Sequence, residues 1–230
     1  MSASHHINIV RLKAIKNALV ALEKEIVFVG GAILSLYNDS PIIDVRSTND
    51  IDVIIEILNY RERAKIEEQL RELGFHHDVV SGIICRYRHQ GLIVDIMPTD
   101  DNSIGFKNKW YPLAFETAIE YYLDEQTIIK IPTAPCYLAT KFEAFKGRGN
   151  YDGYSSHDFE DIVFVLQTRS KIWNEMNDAS EDLKQYFKEE FTQLLNHSYL
   201  MDWLDGNVEH KLESNATTKI HQNITKFVKA

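Results

Sequence analysis

The chain has 230 residues, enough for one large domain or two small ones with a sizeable core. Hydrophobic residues make up 44% and charged residues 26%, which excludes disordered, collagen-like and coiled-coil chains, and the net charge of -9 argues against broad, nonspecific polyanion binding. No apolar run approaches the roughly 20 residues that a membrane-spanning helix needs. The polar N-terminus lacks the apolar segment of a secretion signal. We therefore expect a cytoplasmic protein without a membrane partner.

The first part of the chain mixes helical and strand patterns. Residues with helical spacing alternate with short apolar runs that end at glycine or proline. In chain order, the pattern predicts a helix over residues 7–24, a buried strand over 26–29, a short helix over 32–37, a loop over 38–49, a strand over 50–58, a helix over 60–73, strands over 78–88 and 91–97, and a strand over 128–131.

The remainder of the chain has helical periodicity. It predicts helices over residues 135–146, 157–168, 171–195, 197–211 and 213–229, with a Gly-rich loop over 147–154. The predicted fold class is therefore α+β: a mixed sheet flanked by helices, followed by a C-terminal helical region. We place the domain boundary at Pro132, which gives a sheet-containing domain over residues 1–132 and a helical domain over 133–230.

Three aspartates stand in otherwise apolar strands. Asp50 and Asp52 project to the same face, because residues i and i+2 of a strand do so. Asp95 is a lone carboxylate in the strand 91–97, and it joins the pair if the two strands are neighbours. Like charges side by side need a cation between them. Mg²⁺ prefers oxygen ligands and leaves positions open for phosphates, so the pattern predicts a site for two Mg²⁺ ions.

Two adjacent glycines lie between the strand 26–29 and the helix that follows. Gly30 and Gly31 permit close backbone approach, and the free N–H groups of the next helix suit an anion such as a triphosphate. Each motif also has a plainer interpretation. Asp-x-Asp is often a solvated strand end, Asp95 could pair with an arginine such as Arg86 or Arg88, and a glycine pair is often only a tight turn.

Taken together and in this order, these residues resemble the nucleotidyltransferase superfamily of DNA polymerase β. Its motif is a Gly-Gly or Gly-Ser turn opening a helix, then Asp-x-Asp on a strand, then a third Asp on a later strand. The match spans about residues 26–97. The resemblance implies transfer of a nucleotide from a nucleoside triphosphate (NTP), with Mg²⁺ as cofactor.

A closer resemblance is to abortive-infection (AbiEii-like) nucleotidyltransferases, many of them toxins of toxin–antitoxin pairs. Their Arg-x-Thr-x-Asp-x-Asp motif is similar to the segment from Arg46 through Thr48 to Asp52. Their later lysine and Asp-rich helix start are similar to Lys141 and Asp158. The chain departs from the superfamily at Ala32, where many members have serine, and Ser35 could supply the hydroxyl instead.

The resemblance implies a role for each of these residues. Asp50, Asp52 and Asp95 would hold the metal ions, and Asp95 would help to deprotonate the attacking hydroxyl. Gly30, Gly31 and Lys141 would hold the triphosphate, because lysine is a point charge suited to phosphate. Asp158 would position Lys141 or line the site, and Arg46 would contact phosphate or brace its loop. Alone, Lys141 could equally be a solvated helix lysine.

The sequence leaves the acceptor open. A tRNA, a protein hydroxyl or a small molecule such as an antibiotic could receive the nucleotide, and the toxin-like resemblance favours tRNA or protein. A second class of function is a non-catalytic nucleotide-binding module, or one controlled by an antitoxin partner.

Overall fold

The computed structural model describes residues 3–22, 24–39, 45–57, 59–99 and 108–230. The described residues fall into two units. The first unit combines Met1–Ser35 with Asp44–Thr133, and the second combines Leu36–Ile43 with Ala134–Ala230. We call them the strand unit and the helical unit. The first unit ends one residue beyond the predicted boundary, but the second also takes in a segment that sequence reasoning assigned to the first.

In the described part of the strand unit, five strands form a mixed sheet in the order β1-β2-β5-β4-β3. The strand β2 pairs antiparallel with β1 and parallel with β5, while β4 pairs antiparallel with both β5 and β3. A separate antiparallel hairpin joins β6 and β7. The strands are β1 (Ile26–Val29), β2 (Asp50–Ile55), β3 (His76–His77), β4 (Arg86–His89), β5 (Leu92–Pro98), β6 (Ile119–Tyr122) and β7 (Ile128–Ile131).

Helices of the strand unit cover the sheet because their apolar positions recur every three to four residues. Leu12 and Ile15 of the first helix are fully buried, and Leu19, directly after the helix, is almost fully buried, as this spacing requires. The helices are α1 (Ala3–Ala18), α2 (Tyr60–Glu72) and α3 (Tyr111–Glu116). Two 3₁₀ helices, Val20–Leu22 and Gly31–Tyr37, complete the described helical segments that begin before Ala134.

The helical unit is organised around α4 (Ala134–Lys146), which is buried along most of its length. Its aromatic residues Phe142 and Phe145 pack against rings of the surrounding helices. Aromatic pairs of this kind add to the stabilisation that burial gives. The surrounding helices are α5 (His157–Thr168), α6 (Ile172–Asn177), α7 (Glu181–Leu195), α8 (Leu200–Asn207) and α9 (Ala216–Lys229).

The predicted fold class is confirmed: the structure is α+β, with a mixed sheet flanked by helices and a helical C-terminal region. One strand prediction is wrong in its extent. Residues 78–85 form turns rather than the first part of the strand 78–88, because Gly82 adopts a φ of +69° and interrupts the extended backbone. The side chains of Val79 and Val80 are 85% and 96% exposed there.

Other differences concern helix ends and short elements. The predicted helix 171–195 is divided into α6 and α7 by a turn around Asp178. The helix α3 and the strands β3 and β6 were not predicted, because each is too short to show a period. Part of the predicted loop 38–49 lies outside the described residues. Within the described ranges, no helix has the length and apolarity to cross a membrane.

Candidate functional site

The parallel pairing of β2 with β5 places the three aspartates on one face of the sheet. Asp52 is the register partner of Asp95, and Asp50 lies two residues earlier on β2. Directly paired residues of neighbouring strands share a face, as do residues i and i+2. The strand adjacency on which the sequence argument for Asp95 depended is therefore present.

The glycine turn lies beside the same face. Val29, at the end of β1, is the register partner of Asp52, so the chain leaves the sheet at Gly30 next to that aspartate. Gly30 has a φ of +72°, and a Cβ atom there would lie only 1.9 Å from Oδ2 of Asp52. A side chain at position 30 would therefore displace the Asp52 carboxylate.

Gly31 is packed in the same way against the predicted Arg-x-Thr segment. A Cβ atom at Gly31 would lie 2.7 Å from Cγ2 of Thr48 and 2.8 Å from a terminal guanidinium nitrogen of Arg46. The buried Thr48 hydroxyl donates a hydrogen bond to the Asp50 carbonyl oxygen at 3.3 Å. Four residues that are predicted to lie near the triphosphate are therefore found together beside the carboxylates: Gly30, Gly31, Arg46 and Thr48.

Ser35 does not present its hydroxyl to solvent. Its Oγ atom is buried and has no hydrogen-bond partner within the described part of the chain. The expected contact between Ser35 and a triphosphate would require this hydroxyl to become accessible.

Arg86 contacts two of the three carboxylates. It is the register partner of Asp95 on β4. Its Nε donates to Asp95 Oδ1 at 2.8 Å, and its terminal nitrogen Nη2 donates to Asp95 Oδ2 at 2.7 Å and to Asp50 Oδ2 at 3.1 Å. The hydrogen bonds that Arg86 donates to Asp95 raise the pKa of Arg86, and the charges of Asp95, Asp50 and Asp52 add to the effect. The arginine pairing that was the plainer interpretation of Asp95 is therefore present.

The same carboxylates also affect the pKa of a neighbouring thiol, that of Cys85. Burial raises the pKa of Cys85 to about 11, and the negative charges of Asp95 and Asp52 add to this increase. A thiol with such a pKa is neutral at physiological pH, so it is a poor nucleophile and a poor metal ligand.

The donor chemistry of this face fits a hard divalent cation, since three carboxylates face one guanidinium and Mg²⁺ takes oxygen ligands. Their positions do not yet form a coordination shell. Across the described ranges, no three His, Cys, Asp or Glu side chains are grouped closely enough to hold a metal ion. Asp50, Asp52 and Asp95 as Mg²⁺ ligands therefore remain a prediction, and ion binding would require Arg86 to release an oxygen.

Lys141 and Asp158 belong to a separate cluster inside the helical unit. The Lys141 ammonium lies 2.5 Å from Asp161 Oδ2 and 3.2 Å from Asp158 Oδ1, and all three side chains are at most 5% exposed. Arg148 donates two hydrogen bonds of 2.8 Å to Asp158. The alternative of a solvated Lys141 is therefore wrong, whereas the expected pairing of Asp158 with Lys141 is present.

The pKa values in this cluster follow from its ion pairs. Burial opposes the charge on Lys141, but the carboxylates of Asp161 and Asp158 outweigh it, so the pKa of Lys141 is raised. Burial likewise opposes the charge on Asp158, but the Arg148 hydrogen bonds and the Lys141 charge lower its pKa to about 2. Lys141 and Asp158 are consequently ionised at neutral pH. Nucleotide contacts of Lys141 and Asp158 remain predictions.

Sequence reasoning did not identify Asp161 and Arg148 as members of this cluster. Asp161 follows Asp158 by three residues, so the two lie on one face of α5. That face is also the one that carries the buried Ile162 and Val165. A carboxylate on an apolar helix face needs a cation, and this spacing is the signal that would have found it.

Comparison with known proteins finds similarity to a solved structure. No protein-family model and no curated protein matches the chain. The crystal structure of an antigenic nucleotidyltransferase-like protein from Paracoccidioides brasiliensis is similar, with a TM-score of 0.48 and 16% sequence identity, over 90% of this chain and 97% of that one. The function proposed below therefore rests on the residues of this chain alone.

Proposed function

We propose that this protein is a Mg²⁺-dependent nucleotidyltransferase that moves a nucleoside monophosphate from an NTP to a hydroxyl acceptor. One observation carries the proposal: the β2–β5 pairing aligns Asp52 with Asp95 and leaves Asp50 on the same face. Gly30 and Gly31 lie beside these carboxylates, and Thr48 and Arg46 pack against Gly31. This combination suits a metal-bound triphosphate, because carboxylates hold the metal and glycines let the backbone approach the phosphates.

In the proposed reaction, the acceptor hydroxyl oxygen attacks the α-phosphorus and forms the new P–O bond. The bond from the α-phosphorus to the α–β bridging oxygen breaks, and pyrophosphate leaves. Asp95 takes the hydroxyl proton, and the glycine turn with Arg46 and Thr48 orients the triphosphate. Two Mg²⁺ ions held by Asp50, Asp52 and Asp95 would supply charge neutralisation and activation of the hydroxyl.

A labelled-nucleotide assay tests this function. Each NTP, labelled in turn at the α- or the γ-phosphate, is incubated with the full chain, Mg²⁺ and either total RNA, cell lysate protein or an aminoglycoside. We expect α-label on one acceptor class and no transfer of γ-label. A tRNA-sized labelled band or a labelled protein would identify the acceptor expected of a toxin, and the labelled antibiotic would identify the small-molecule alternative.

The matched control is Asp50→Ala, which removes a carboxylate that is proposed to bind the metal. The Asp50 side chain is 36% exposed. The variant should keep the fold and lose transfer. Equal labelling by the variant and the wild-type protein would refute the site, and transfer of γ-label would indicate a kinase instead.

A second candidate function is a non-catalytic nucleotide-binding module, including one controlled by an antitoxin partner. The contacts of Arg86 with Asp95 and Asp50 favour it, because an arginine can balance these carboxylates without a metal. Binding of an NTP to the wild-type chain without label on any acceptor would select this candidate over the transferase.

A further inference from the structure

Arg86 stands out because its guanidinium contacts oxygens that the proposed metal ions would use. It bridges Asp50 and Asp95 from a neighbouring strand, and its side chain is 19% exposed. The family motifs in the sequence do not include it. Its position is set by the β4–β5 hairpin, where the register makes Arg86 the partner of Asp95.

The contacts of Arg86 are unequal. Asp95 receives two hydrogen bonds, one to each oxygen, and its side chain is 11% exposed. Asp50 receives one, longer at 3.1 Å, and its side chain is 36% exposed. A bidentate guanidinium–carboxylate pair is the stronger arrangement. The link to Asp50 is therefore the one that an incoming cation breaks first.

The bridge brings a positive charge to these carboxylates. The negative charges of Asp50, Asp52 and Asp95 all act on Arg86. Without it, like charges on adjacent strands would repel one another in a partly buried position. A carboxylate has about four lone-pair sites, so Asp95 can stay paired with Arg86 while another of its lone pairs accepts a metal.

We propose that Arg86 is an internal counter-ion that competes with Mg²⁺ for Asp50 and so sets the metal affinity of the site. This inference rests on the proposed function, because it concerns the same three carboxylates. When the divalent ion binds, Arg86 gives up Asp50 and keeps its two hydrogen bonds to Asp95. The chain thereby stays folded before the metal arrives, at the expense of weaker metal binding.

The test measures Mg²⁺ affinity by calorimetry at fixed ionic strength, and the melting temperature in EDTA and in Mg²⁺, on full-length variants. Arg86→Gln should bind Mg²⁺ at least about tenfold more tightly, because a unit charge a few ångströms away near a protein surface contributes more than the 1.4 kcal/mol that a tenfold change represents. It should also melt at a lower temperature in EDTA and regain stability in Mg²⁺.

Arg88→Gln is the matched control. Arg88 lies on the same strand and carries the same charge, but it pairs with Asp78 and is 55% exposed. The Mg²⁺ affinity of Arg88→Gln should stay within about twofold of the wild-type value, because exposed charges are screened. Asp50→Asn in either background should remove the tight binding, which locates the measured ion at this site.

If Arg86 had only a structural role, its replacement would weaken Mg²⁺ binding, because a damaged site binds the ion less tightly. Unchanged or weaker affinity in folded Arg86→Gln overturns the inference. If that variant does not fold, Arg86→Lys decides. Lysine keeps the charge but cannot make the bidentate contact, so it should bind Mg²⁺ more tightly than the wild-type protein by a smaller factor, and equal or weaker binding overturns the inference.

The two proposals fail in different ways. If the wild-type protein transfers nucleotide but Arg86→Gln binds Mg²⁺ no more tightly than the wild-type protein, the proposed role of Arg86 as a counter-ion is refuted and the proposed transferase function is not. If the wild-type protein neither binds Mg²⁺ nor transfers nucleotide, the transferase function is refuted, and with it the proposed competition between Arg86 and Mg²⁺.

Discussion

Two groups of charged residues, one in each unit, differ in how their charges are balanced. In the helical unit, Lys141 and Arg148 face Asp158 and Asp161, so positive and negative charges match. In the strand unit, Arg86 contacts two of the three aspartates of the carboxylate face, Asp50 and Asp95.

The two groups also differ in how deeply their side chains are buried. The balanced group contains side chains that are at most 5% exposed apart from Arg148, whereas Asp50 of the other group is 36% exposed. In the balanced, buried group the ion pairs of Lys141 with Asp158 and Asp161 join α4 to α5. The carboxylate group of the strand unit has a member, Asp50, that a cation from solvent can reach, which is why we assign function to it.

The largest expected effect separates the two groups by activity. Asp50→Asn should reduce nucleotide transfer by roughly three orders of magnitude or more, as loss of a group that stabilises transition-state charge does. Its melting temperature in EDTA should not fall, because one of several repelling charges is removed. Comparison of transfer rate and melting temperature with the wild-type protein checks both. A variant that loses both activity and stability would mean that Asp50 is a structural residue.

The next prediction concerns the balanced group. Lys141→Met should lower the free energy of unfolding by about 3–5 kcal/mol, since it leaves buried carboxylates without their cation. Urea denaturation measures this loss. The double variant Lys141→Met, Asp161→Asn should recover part of it, because Arg148 still compensates Asp158. If Lys141→Met is as stable as the wild-type protein, Lys141 is not held as the structure places it, and a phosphate contact becomes the better assignment.

A smaller effect is expected at the glycine turn. Gly30→Ala should cost about 1–3 kcal/mol, because alanine is strained at positive φ and its Cβ would displace the Asp52 carboxylate. Gly82→Ala is the matched control, since Gly82 also has positive φ but has no atom within 4 Å of the added Cβ. The difference in unfolding free energy between the two variants isolates the Asp52 contact. Equal losses would show that Asp52 does not lie against Gly30.

The smallest effect is a pH dependence of stability. The folded pKa of Asp158, about 2, lies below its ordinary value of 3.8. Its ion pair therefore contributes fully above about pH 4, and the contribution, about 2 kcal/mol, is lost as the pH falls through the folded pKa.

Denaturant unfolding of the wild-type protein and Asp158→Asn between pH 7 and pH 2 measures this contribution. The stability difference between the two proteins should shrink as the pH falls below 4. A difference that stays constant over this range would contradict the ionised, paired Asp158.

Elements with a strong local pattern could be predicted from the sequence. The strands β1 and β7 and the helix α5 have the predicted bounds, because an unbroken apolar run or a helical period defines each of them. The turns of residues 78–85 could not be predicted in this way. Their β-branched residues favour a strand, but exposure and the positive φ of Gly82 show that the backbone turns instead.

The partner of Asp95 could have been predicted with one further step. The hairpin turns at Gln90 and Gly91, both with positive φ, and a two-residue turn fixes the register of the strands on either side. Counting back from that turn makes Arg86, rather than Arg88, the partner of Asp95. The Lys141 pairings depend on how α4 packs against α5, which no local pattern encodes.

The parallel pairing of β2 with β5 also has a consequence for how the protein matures. The helix α2 and the strands β3 and β4 separate the two strands along the chain, so their contact is long-range and forms only after a large loop closes. A growing chain that has not yet reached Leu92 contains Asp50 and Asp52 but lacks Asp95. Synthesis and sheet closure therefore precede any chemistry that needs all three carboxylates, and a translation product that ends before Asp95 lacks the proposed site.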